Sequence, residues 1–421
     1  MIQNGALHDI DELSRTLDQH LYTDDALYQR EMTWMRKNMW FLVGHESRIP
    51  RPGDYFLFDF EKDNVIVIRD QSGQIRAHHN VCTHRGSRLC KESTGSAKVI
   101  TCPYHAWSFD LNGALRAAPF VSSSFDKSQW GLAGCHVRVL HGFVFLSFSD
   151  IAADFDEYIG YADREFELQD AAGVKIAKRL SWTVDANWKI VVENNLECYH
   201  CKPSHPNYCA AHPGVPLGKA DEFEARDKWM RSVLENSSHE KARMFVPVAP
   251  GRTFRFMGRS VIGTNCATES IGGKALAPLM GQCVYEGVQT FLAPSALATL
   301  VLNPDHIVTY NFVPRSTRRT DVEVLWLVNG SAKEGVDYDL DHLTEVWLAT
   351  LVEDKVLVEN VQLGVESTAY KPGPIIESEK FVLAFSRWYR ESILNGPNQR
   401  TSNTPACNSI PEGRQTSASP V

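Results

Sequence analysis

The sequence predicts a protein of the α+β class, in which a small β domain precedes a larger domain of strands and helices. Residues 41–150 contain short alternating apolar runs, such as Val65–Ile68, separated by turn signals at Asp70–Gly73 and Asp110–Gly113. Residues 252–329 return to strand-like runs, and residues 337–367 show the spacing of a long helix. At roughly 150 residues per domain, the chain of 421 residues has room for two or three domains.

The elements divide the chain into four segments. Residues 1–40 form a helical segment, predicted from Asp9 to about Trp40, which we expect to pack on the larger domain. Residues 41–150 form the small β domain, and residues 151–394 form the larger domain, with a motif-rich helix between Leu180 and Asn207. Residues 395–421 are rich in Ser, Thr, Pro, Gly, Asn and Gln without periodicity, so we expect a disordered tail.

Composition excludes several classes of function. The chain has 43 Lys and Arg against 51 Asp and Glu, a net charge of −8, and no basic stripe that would indicate nucleic-acid binding. Its apolar runs are far shorter than the roughly 20 residues of a membrane helix. Residues 1–14 resemble no secretory signal, so we expect a cytoplasmic protein without membrane contact. In that compartment its ten cysteines favour metal or redox use over a disulfide framework.

The first metal motif lies in the small β domain. Cys82-Thr83-His84 is followed, after seventeen residues, by Cys102-Pro103-Tyr104-His105. In a Rieske [2Fe–2S] centre one iron takes two thiolates and the other takes two imidazoles, so each loop can donate one sulfur and one nitrogen. A structural zinc site is the alternative, but zinc pairs usually have two or more residues between paired ligands. Cys90 lies outside the pattern and is interpreted as a buried thiol.

The second metal motif lies in the larger domain. Glu197 and His200 are three residues apart and would share one face of a helix, whereas His205 lies about 140° away on an ideal helix. Pro203 should therefore break the helix and let His205 return to the same site. Two histidines and one carboxylate with open positions form the facial triad of non-haem Fe(II) oxygenases. The carboxylate must come from another part of the chain.

The long helix offers that carboxylate. Steps of three and four residues define an apolar stripe with one acidic residue in it, namely Leu343, Trp347, Leu351, Asp354, Val358 and Val361. A lone buried carboxylate is costly unless it binds a cation, which favours Asp354 as the ligand. Glu353 falls on a mixed stripe. An Asp354 satisfied only by hydrogen bonds remains the alternative.

These two motifs together resemble the α subunit of a Rieske non-haem iron oxygenase, the family of ring-hydroxylating oxygenases. The resemblance runs from about Met35 to Leu394 and implies a Rieske β domain before a helix-grip catalytic domain with an antiparallel sheet. It implies cluster ligands Cys82, His84, Cys102 and His105, and mononuclear iron ligands His200, His205 and Asp354. Most aromatic-ring dioxygenases of the family have Asp where this chain has Glu197. That departure and the flanking residues resemble the branch that acts on quaternary ammonium compounds such as glycine betaine, stachydrine and carnitine.

The resemblance implies a terminal oxygenase that uses O2 and electrons from NAD(P)H. A separate flavin and iron–sulfur reductase would deliver the electrons, since no Gly-x-Gly-x-x-Gly fingerprint occurs here. The expected reaction is N-demethylation of a quaternary ammonium compound or betaine. An aromatic-ring hydroxylase or O-demethylase is the alternative enzyme, and a pure electron carrier is the alternative of another class.

The family also implies a homotrimer in which Glu197 bridges His105 of one chain and His200 of the next. A carboxylate that orients a metal-bound imidazole is a standard arrangement around metal sites. Aromatic residues of the strand region are candidates for binding a quaternary nitrogen by cation–π contact, without a commitment to any one of them: Phe254, Phe256, Tyr285, Phe291 and Tyr310.

Overall fold

The structure is a computed structural model. It describes residues 14–213, 253–263, 265–285 and 287–395, together with residues 225, 228, 229 and 232. The predicted disordered tail lies outside the described residues, apart from residue 395, and so do residues 1–13 of the N-terminal segment.

The N-terminal segment forms two helices, α1 (Gln19–Thr23) and α2 (Asp25–Asn38). The prediction of one continuous helix was wrong, because Asp24 adopts an extended backbone conformation and its side chain accepts a hydrogen bond from the Leu27 amide at 2.8 Å. This is the geometry of a helix N-cap. The buried side of α2 belongs to the same apolar cluster as the helices and sheet of the larger domain.

The small β domain consists of three antiparallel sheets. Its strands are β1 (Phe41–His45), β2 (Asp54–Phe60), β3 (Asp63–Arg69), β4 (Ile75–His79), β5 (Thr94–Ser96), β6 (Ile100–Thr101), β7 (Ser108–Phe109), β8 (Leu115–Ala117), β9 (His136–Leu140) and β10 (Phe143–Ser147). The sheet orders are β4-β3-β2-β5, β6-β7-β8 and β1-β10-β9. The loops after β4 and β6 carry the two Cys/His pairs.

The larger domain is built on one six-stranded antiparallel sheet of order β11-β16-β15-β14-β13-β12. Its strands are β11 (Val174–Val184), β12 (Phe256–Val261), β13 (Val288–Ser295), β14 (Ala298–Leu302), β15 (His306–Ser316) and β16 (Arg319–Asn329). In β15, Val308, Tyr310 and Phe312 alternate with residues of the other face and join the main apolar cluster.

Helices pack on both faces of the sheet, since Tyr158 and Phe166 join Leu300 and Leu325 of the opposite face in a second apolar cluster. Among the described residues of this domain, the helices are α3 (Phe155–Ile159), α4 (Asp163–Leu168), α5 (Trp188–Asn195), α6 (Cys201–Ser204), α7 (Pro206–Ala211), α8 (Leu340–Val365) and α9 (Lys380–Tyr389). The predicted helix over Leu180–Asn207 was wrong in extent, because residues 180–184 pair with β16 and the rest is three short helices.

The long helix α8 was predicted correctly within three residues at each end. Its buried face departs from the predicted stripe at the C-terminal end, where Val361 is exposed and Gln362 is buried. At 3.6 residues per turn each step of four residues advances about 40° around the helix, so the buried face turns progressively from Asp354 through Val358 to Gln362 instead of returning to position 361.

A buried ion pair attaches the N-terminal segment to helix α5. Lys189 Nζ lies 2.6 Å from Glu31 Oε1, and both side chains are almost completely buried. Trp188 Nε1 donates to the other Glu31 oxygen at 2.8 Å, and the Tyr389 hydroxyl also donates to Glu31. Buried charges require such partners. Glu31 thus connects α2 both to helix α5, which leads directly into the second metal motif, and to Tyr389 of α9.

Candidate metal centres and active site

The two Cys/His loops of the small β domain have matching backbone hydrogen bonds. In the first loop the Gly86 amide donates to the Cys82 carbonyl at 2.9 Å, and in the second the Ala106 amide donates to the Cys102 carbonyl at 3.1 Å. Gly86 and Ala106 both have positive φ, 74° and 57°. A left-handed residue four positions after each cysteine closes the turn and directs both loops to one point.

The predicted cluster ligands converge at this point. Cys82 and Cys102 are buried free thiols, and the His84 and His105 rings lie 4.7 Å apart between centroids. Burial disfavours the Cys102 thiolate, but hydrogen bonds from the Tyr104 and His105 amides and from the Cys82 and Ser87 side chains outweigh it and lower its pKa. Trp107 stacks on His84 at 4.8 Å and fixes the ring.

The donor atoms fit the group that the motif predicts. His84 Nδ1 and His105 Nδ1 are buried and have no hydrogen-bond partner. Buried polar atoms nearly always have a partner, so two orphaned nitrogens beside two buried thiols indicate a metal group that completes them. Two sulfurs and two nitrogens on two loops are the donor set of a Rieske [2Fe–2S] centre.

The second motif forms a three-atom site between α5, α6 and α8. Asp354 Oδ1 lies 3.3 Å from His200 Nε2 and 3.1 Å from His205 Nε2. His205 Nε2 and Asp354 Oδ1 are buried without a hydrogen-bond partner. Two ligand atoms about 2.1 Å from one ion and at right angles to each other would be about 3.0 Å apart. The spacing therefore fits a single ion, and two imidazoles with one carboxylate are the donor set of a non-haem iron site.

A glutamate holds the outer nitrogen of each histidine. Glu197 Oε1 accepts from His200 Nδ1, and Glu353 Oε2 lies 2.9 Å from His205 Nδ1. Carboxylates in this position fix the tautomer and orientation of a metal-binding imidazole. Glu353 was weighed only as an alternative ligand on the sequence, and its contact with Nδ1 gives it a positioning role instead. Asp354 is the carboxylate that faces both Nε2 atoms.

These carboxylates make the site favour positive charge. Burial opposes a charge on His200, but hydrogen bonds and charges from Asp354 and Glu197 outweigh it and raise the pKa of His200 to about 9. The same balance raises the pKa of His205, with Asp354 and Glu353 as the partners. Burial disfavours the Asp354 carboxylate, but the two histidines that face it outweigh burial and lower its pKa.

Local backbone breaks bring these side chains together. The prediction that Glu197 and His200 share a helix face was wrong, because α5 ends at Asn195. The Glu197 carboxylate instead accepts the amides of Tyr199 and His200 and forms a tight turn. The break before His205 was assigned to Pro203, but Pro203 lies inside α6. His205 leaves the helical region because Pro206 follows it and starts α7.

The turn between the histidines also carries a disulfide, between Cys198 and Cys201. The sequence favoured metal or redox use of the cysteines over a disulfide framework, and this pair departs from that expectation. Cys201 lies beside His200 and His205, but its sulfur is committed to Cys198.

A cavity of about 40 Å³ opens beside Asp354. Its walls are the sheet, α5 and α8, and three aromatic side chains of the sheet line it, namely Trp182, Tyr310 and Phe312. Of the five aromatic candidates in the sequence, Tyr310 lines this cavity, whereas Phe254 and Phe256 pack on Phe385 and Phe381 of α9. Trp182 and Phe312 were missed, because their shared position opposite Val322 depends on strand register.

Comparison with known proteins establishes the family. Residues 39–134 match the Rieske [2Fe-2S] domain, and residues 167–395 match the catalytic domain of the ring-hydroxylating α subunit. The chain therefore belongs to the family of Rieske-type ring-hydroxylating oxygenase α subunits. It is an oxygenase whose cofactors are a Rieske [2Fe–2S] cluster and a mononuclear non-haem iron, with O2 as co-substrate, as the sequence predicted.

Particular relatives differ in how much of the chain they match. The chain is 31% identical to the glycine betaine monooxygenase oxygenase subunit of Pseudomonas aeruginosa over 398 residues, which are 93% of this chain and 92% of the relative. It is 33% identical to the benzene 1,2-dioxygenase α subunit of Pseudomonas putida over 225 residues, 52% and 49% of the two chains. The structure of a quaternary ammonium Rieske monooxygenase superposes with a TM-score of 0.69 at 22% identity, over 91% of this chain and 96% of the other.

The comparisons also confirm the fold and part of the expected partnership. A Rieske domain followed by an antiparallel-sheet catalytic domain is the architecture of the family. An oxygenase α subunit of this kind works with a separate reductase on a small-molecule substrate. None of the described helices combines the length and the hydropathy that a bilayer crossing requires.

Proposed function

We propose that this oxygenase N-demethylates a quaternary ammonium compound of the betaine type. The observation that carries the proposal is a cavity whose lining includes Trp182, Tyr310 and Phe312 together with Asp354. The faces of aromatic rings attract quaternary ammonium groups, by roughly 0.5–2 kcal/mol per contact. The relative that acts on glycine betaine also matches nearly the whole chain, whereas the benzene dioxygenase subunit matches about half of it.

The ligand assignments are part of this proposal. Cys82, His84, Cys102 and His105 would hold the cluster, and His200, His205 and Asp354 would hold the iron. When bound, the two groups supply stored electrons and the oxidation of a substrate C–H bond by O2. The overall change is R–N(CH3)3⁺ + O2 + 2 e⁻ + 2 H⁺ to R–N(CH3)2 + CH2O + H2O + H⁺. The residues of the chain orient the imidazoles through Glu197 and Glu353 and place the methyl groups next to Asp354.

Electron transfer between neighbouring chains is a further part of the proposal. Glu197 Oε1 accepts from His200 Nδ1, on the side of the ring away from the proposed iron, and Oε2 accepts from the Tyr199 and His200 amides. Glu197 therefore lies at the edge of the proposed iron site. Around the cluster loops, Val81 and Tyr104 are exposed by 47% and 58%. An exposed apolar rim around His105 suits contact with a second copy of this chain. We therefore propose a homotrimer in which Glu197 bridges His200 of its own chain and His105 of the neighbour.

A substrate screen tests the reaction. The purified protein, loaded with iron and cluster, is supplied with NAD(P)H and a surrogate reductase, and O2 uptake and formaldehyde are measured. We expect coupled formaldehyde release with glycine betaine or a related betaine, and no release from Asp354→Ala. Coupled turnover of an aromatic acid without formaldehyde from betaines would favour the ring-hydroxylase alternative.

Metal analysis and assembly tests complete the set. Three irons per chain support an oxygenase, two irons support an electron carrier, and stoichiometric zinc would contradict the Rieske assignment. Light scattering should give a trimer. Glu197→Gln should keep cluster, iron and trimer but slow re-oxidation of the reduced cluster in stopped-flow single turnover by orders of magnitude. A rate within about twofold of the parent would contradict the bridge, and a monomer would contradict transfer between chains.

A further inference from the structure

The disulfide between Cys198 and Cys201 lies inside the turn that carries the iron-site residues. Cys198 follows Glu197 and Cys201 follows His200, so the sulfur bridge encloses the first proposed iron ligand. Cys201 is buried, and Cys198 is partly buried against the main apolar cluster. A change in this bond would therefore act directly on the site.

The turn does not depend on the disulfide for its shape. The Glu197 carboxylate accepts the Tyr199 and His200 amides. The Cys201 amide also donates to the Cys198 carbonyl at 3.3 Å. A disulfide stabilises a fold mainly by restricting the unfolded chain, and it restricts the chain least when the closed loop is short. With a separation of three residues, stabilisation accounts poorly for a disulfide at this position.

The Cys201 sulfur lies within reach of both iron-site histidines. Its Sγ atom and one ring nitrogen each of His200 and His205 all lie within 4.8 Å of one another. Ligand atoms of a tetrahedral zinc ion, with Zn–S about 2.3 Å and Zn–N about 2.1 Å, are about 3.6 Å apart. The three atoms would have to approach by little more than about 1 Å to meet one ion. A free thiol can make that movement by side-chain rotation, whereas the bond to Cys198 restrains the sulfur.

The oxidation state of Cys201 decides whether its sulfur can bind a metal. The thiolate is the form of cysteine that binds metals, and a disulfide sulfur is not a thiolate. A free Cys201 would add a soft thiolate to two imidazoles. Sulfur and nitrogen ligands together are typical of zinc, which such sites bind more tightly than Fe(II). Two imidazoles and a carboxylate with open positions suit Fe(II) instead.

We propose that reduction of the Cys198–Cys201 disulfide releases Cys201 as a metal ligand and creates, with His200 and His205, a zinc site that competes with iron. The disulfide takes up two electrons and two protons and becomes two thiols. The Cys201 thiol then gives its proton to the solvent as its sulfur binds Zn²⁺. A dithiol or a phosphine supplies the two electrons. The proposal rests on the two histidines assigned to iron in the proposed function, and it does not depend on which substrate is oxidised.

The test is a zinc titration in which each cysteine of the pair is replaced in turn. The chain, with its cluster in place and its mononuclear site depleted of metal, is titrated anaerobically with Zn²⁺ against a competing chelator. The titration is repeated after treatment with a water-soluble phosphine, which takes the oxygen of one water molecule as the disulfide becomes two thiols. The visible spectrum of the cluster, which should not change, reports that the chain is intact.

The variants separate the sulfur from the disulfide. Cys198→Ser leaves Cys201 free, and Cys201→Ser leaves Cys198 free, so both lack the disulfide and differ only in the sulfur that remains. Cys209→Ser is the matched control, because the Cys209 thiol donates to the Cys201 carbonyl at 3.5 Å and takes no part in the disulfide.

The expected result is selective for Cys201. Reduction of the parent should tighten Zn²⁺ binding by roughly 100-fold, about the share of one ligand in the affinity of a four-ligand zinc site. Cys198→Ser should bind Zn²⁺ this tightly without phosphine, Cys201→Ser should bind it weakly under both conditions, and Cys209→Ser should follow the parent. X-ray absorption at the zinc edge should show one sulfur at about 2.3 Å in the tight complexes alone. In the reduced parent, stoichiometric Zn²⁺ should keep Fe(II) out of the mononuclear site.

Three results would overturn the proposal. Equal zinc affinity before and after the phosphine, with a thiol count that confirms reduction, would show that the released sulfur does not bind. Tightening in Cys201→Ser would assign the sulfur to another cysteine. A parent whose thiol count shows no disulfide before treatment would remove the redox control.

Iron binding distinguishes failure of this proposal from failure of the proposed function. If His200→Ala and His205→Ala abolish Fe(II) binding while reduction leaves the zinc affinity unchanged, this proposal alone fails. If these two variants bind both Fe(II) and Zn²⁺ as the parent does, the ligand assignment of the proposed function fails as well.

Discussion

Replacing Glu353 by Gln should weaken iron binding without touching an iron ligand. Glu353 Oε2 lies 2.9 Å from His205 Nδ1, while His205 Nε2 faces the proposed iron position. The Glu353 carboxylate orients the His205 imidazole and makes it a more basic ligand. The substitution removes that charge. Loss of such a partner typically costs 10- to 100-fold in metal affinity. Because the Glu353 side chain is 34% exposed, solvent screens part of its effect, and we expect the lower end, about 10-fold or about 1.4 kcal/mol.

The assay is an anaerobic Fe(II) titration of the metal-depleted mononuclear site in competition with a chromogenic chelator. The visible spectrum of the [2Fe–2S] cluster, which should not change, reports that the rest of the chain is intact. Glu345→Gln is the matched control, because Glu345 is exposed on the same helix two turns earlier. Asp354→Ala should abolish binding at this site. An affinity of Glu353→Gln within about twofold of the parent would refute the positioning role.

Three further predictions concern the buried charges and the cluster. Glu31→Ala should lower the free energy of unfolding by about 3–5 kcal/mol in denaturant titrations, because it leaves Lys189 charged and buried. The double variant Glu31→Leu with Lys189→Met should recover most of that loss, because it removes both charges. Burial outweighs the hydrogen bond from Tyr22 and raises the pKa of Glu193 from its ordinary 4.5 to about 7. As the pH rises, the unfolded chain therefore loses the Glu193 proton before the folded chain does. The free energy of unfolding should fall between these two pH values. Glu193→Gln should therefore reduce that fall by roughly 2–3 kcal/mol in unfolding titrations at pH 5 and pH 8, and an identical slope would contradict the pKa shift. His105→Cys should lower the cluster potential by on the order of 100 mV or more in a redox titration, since a thiolate adds negative charge, and an unchanged potential in a cluster-bearing variant would remove His105 from the ligand set.

The sequence was sufficient to select the side chains that converge at the two candidate metal sites because the spacing of the Cys/His pairs is local. Cys82 and His84, or Cys102 and His105, are each confined to one short loop, and spacing alone limits what they can bind. Asp354 was selected because an acidic residue within an apolar helical stripe is costly to bury unless a cation compensates its charge. Its proximity to both histidines agrees with that argument.

The features that sequence reasoning missed depend on contacts between distant residues. Trp182 and Phe312 share one face only because both strands pair in register with Val322. The end of α5 was misplaced because the Glu197 carboxylate accepts the Tyr199 and His200 amides in place of helical carbonyls. The periodicity of apolar residues does not reveal this competition.

The two adjacent carboxylates of α8 contact both ring nitrogens of His205, so one helix fixes the orientation of this imidazole. Neighbouring residues on a helix point about 100° apart, so Glu353 and Asp354 cannot face the same atom. His205 lies between their two directions, with Nδ1 toward Glu353 and Nε2 toward Asp354. The imidazole is thus positioned by a single helix of 26 residues rather than by two loops that move independently. Exchanging the two residues would keep the charge but place the longer side chain at the proposed iron position, so the order of glutamate before aspartate contributes to the geometry of the site.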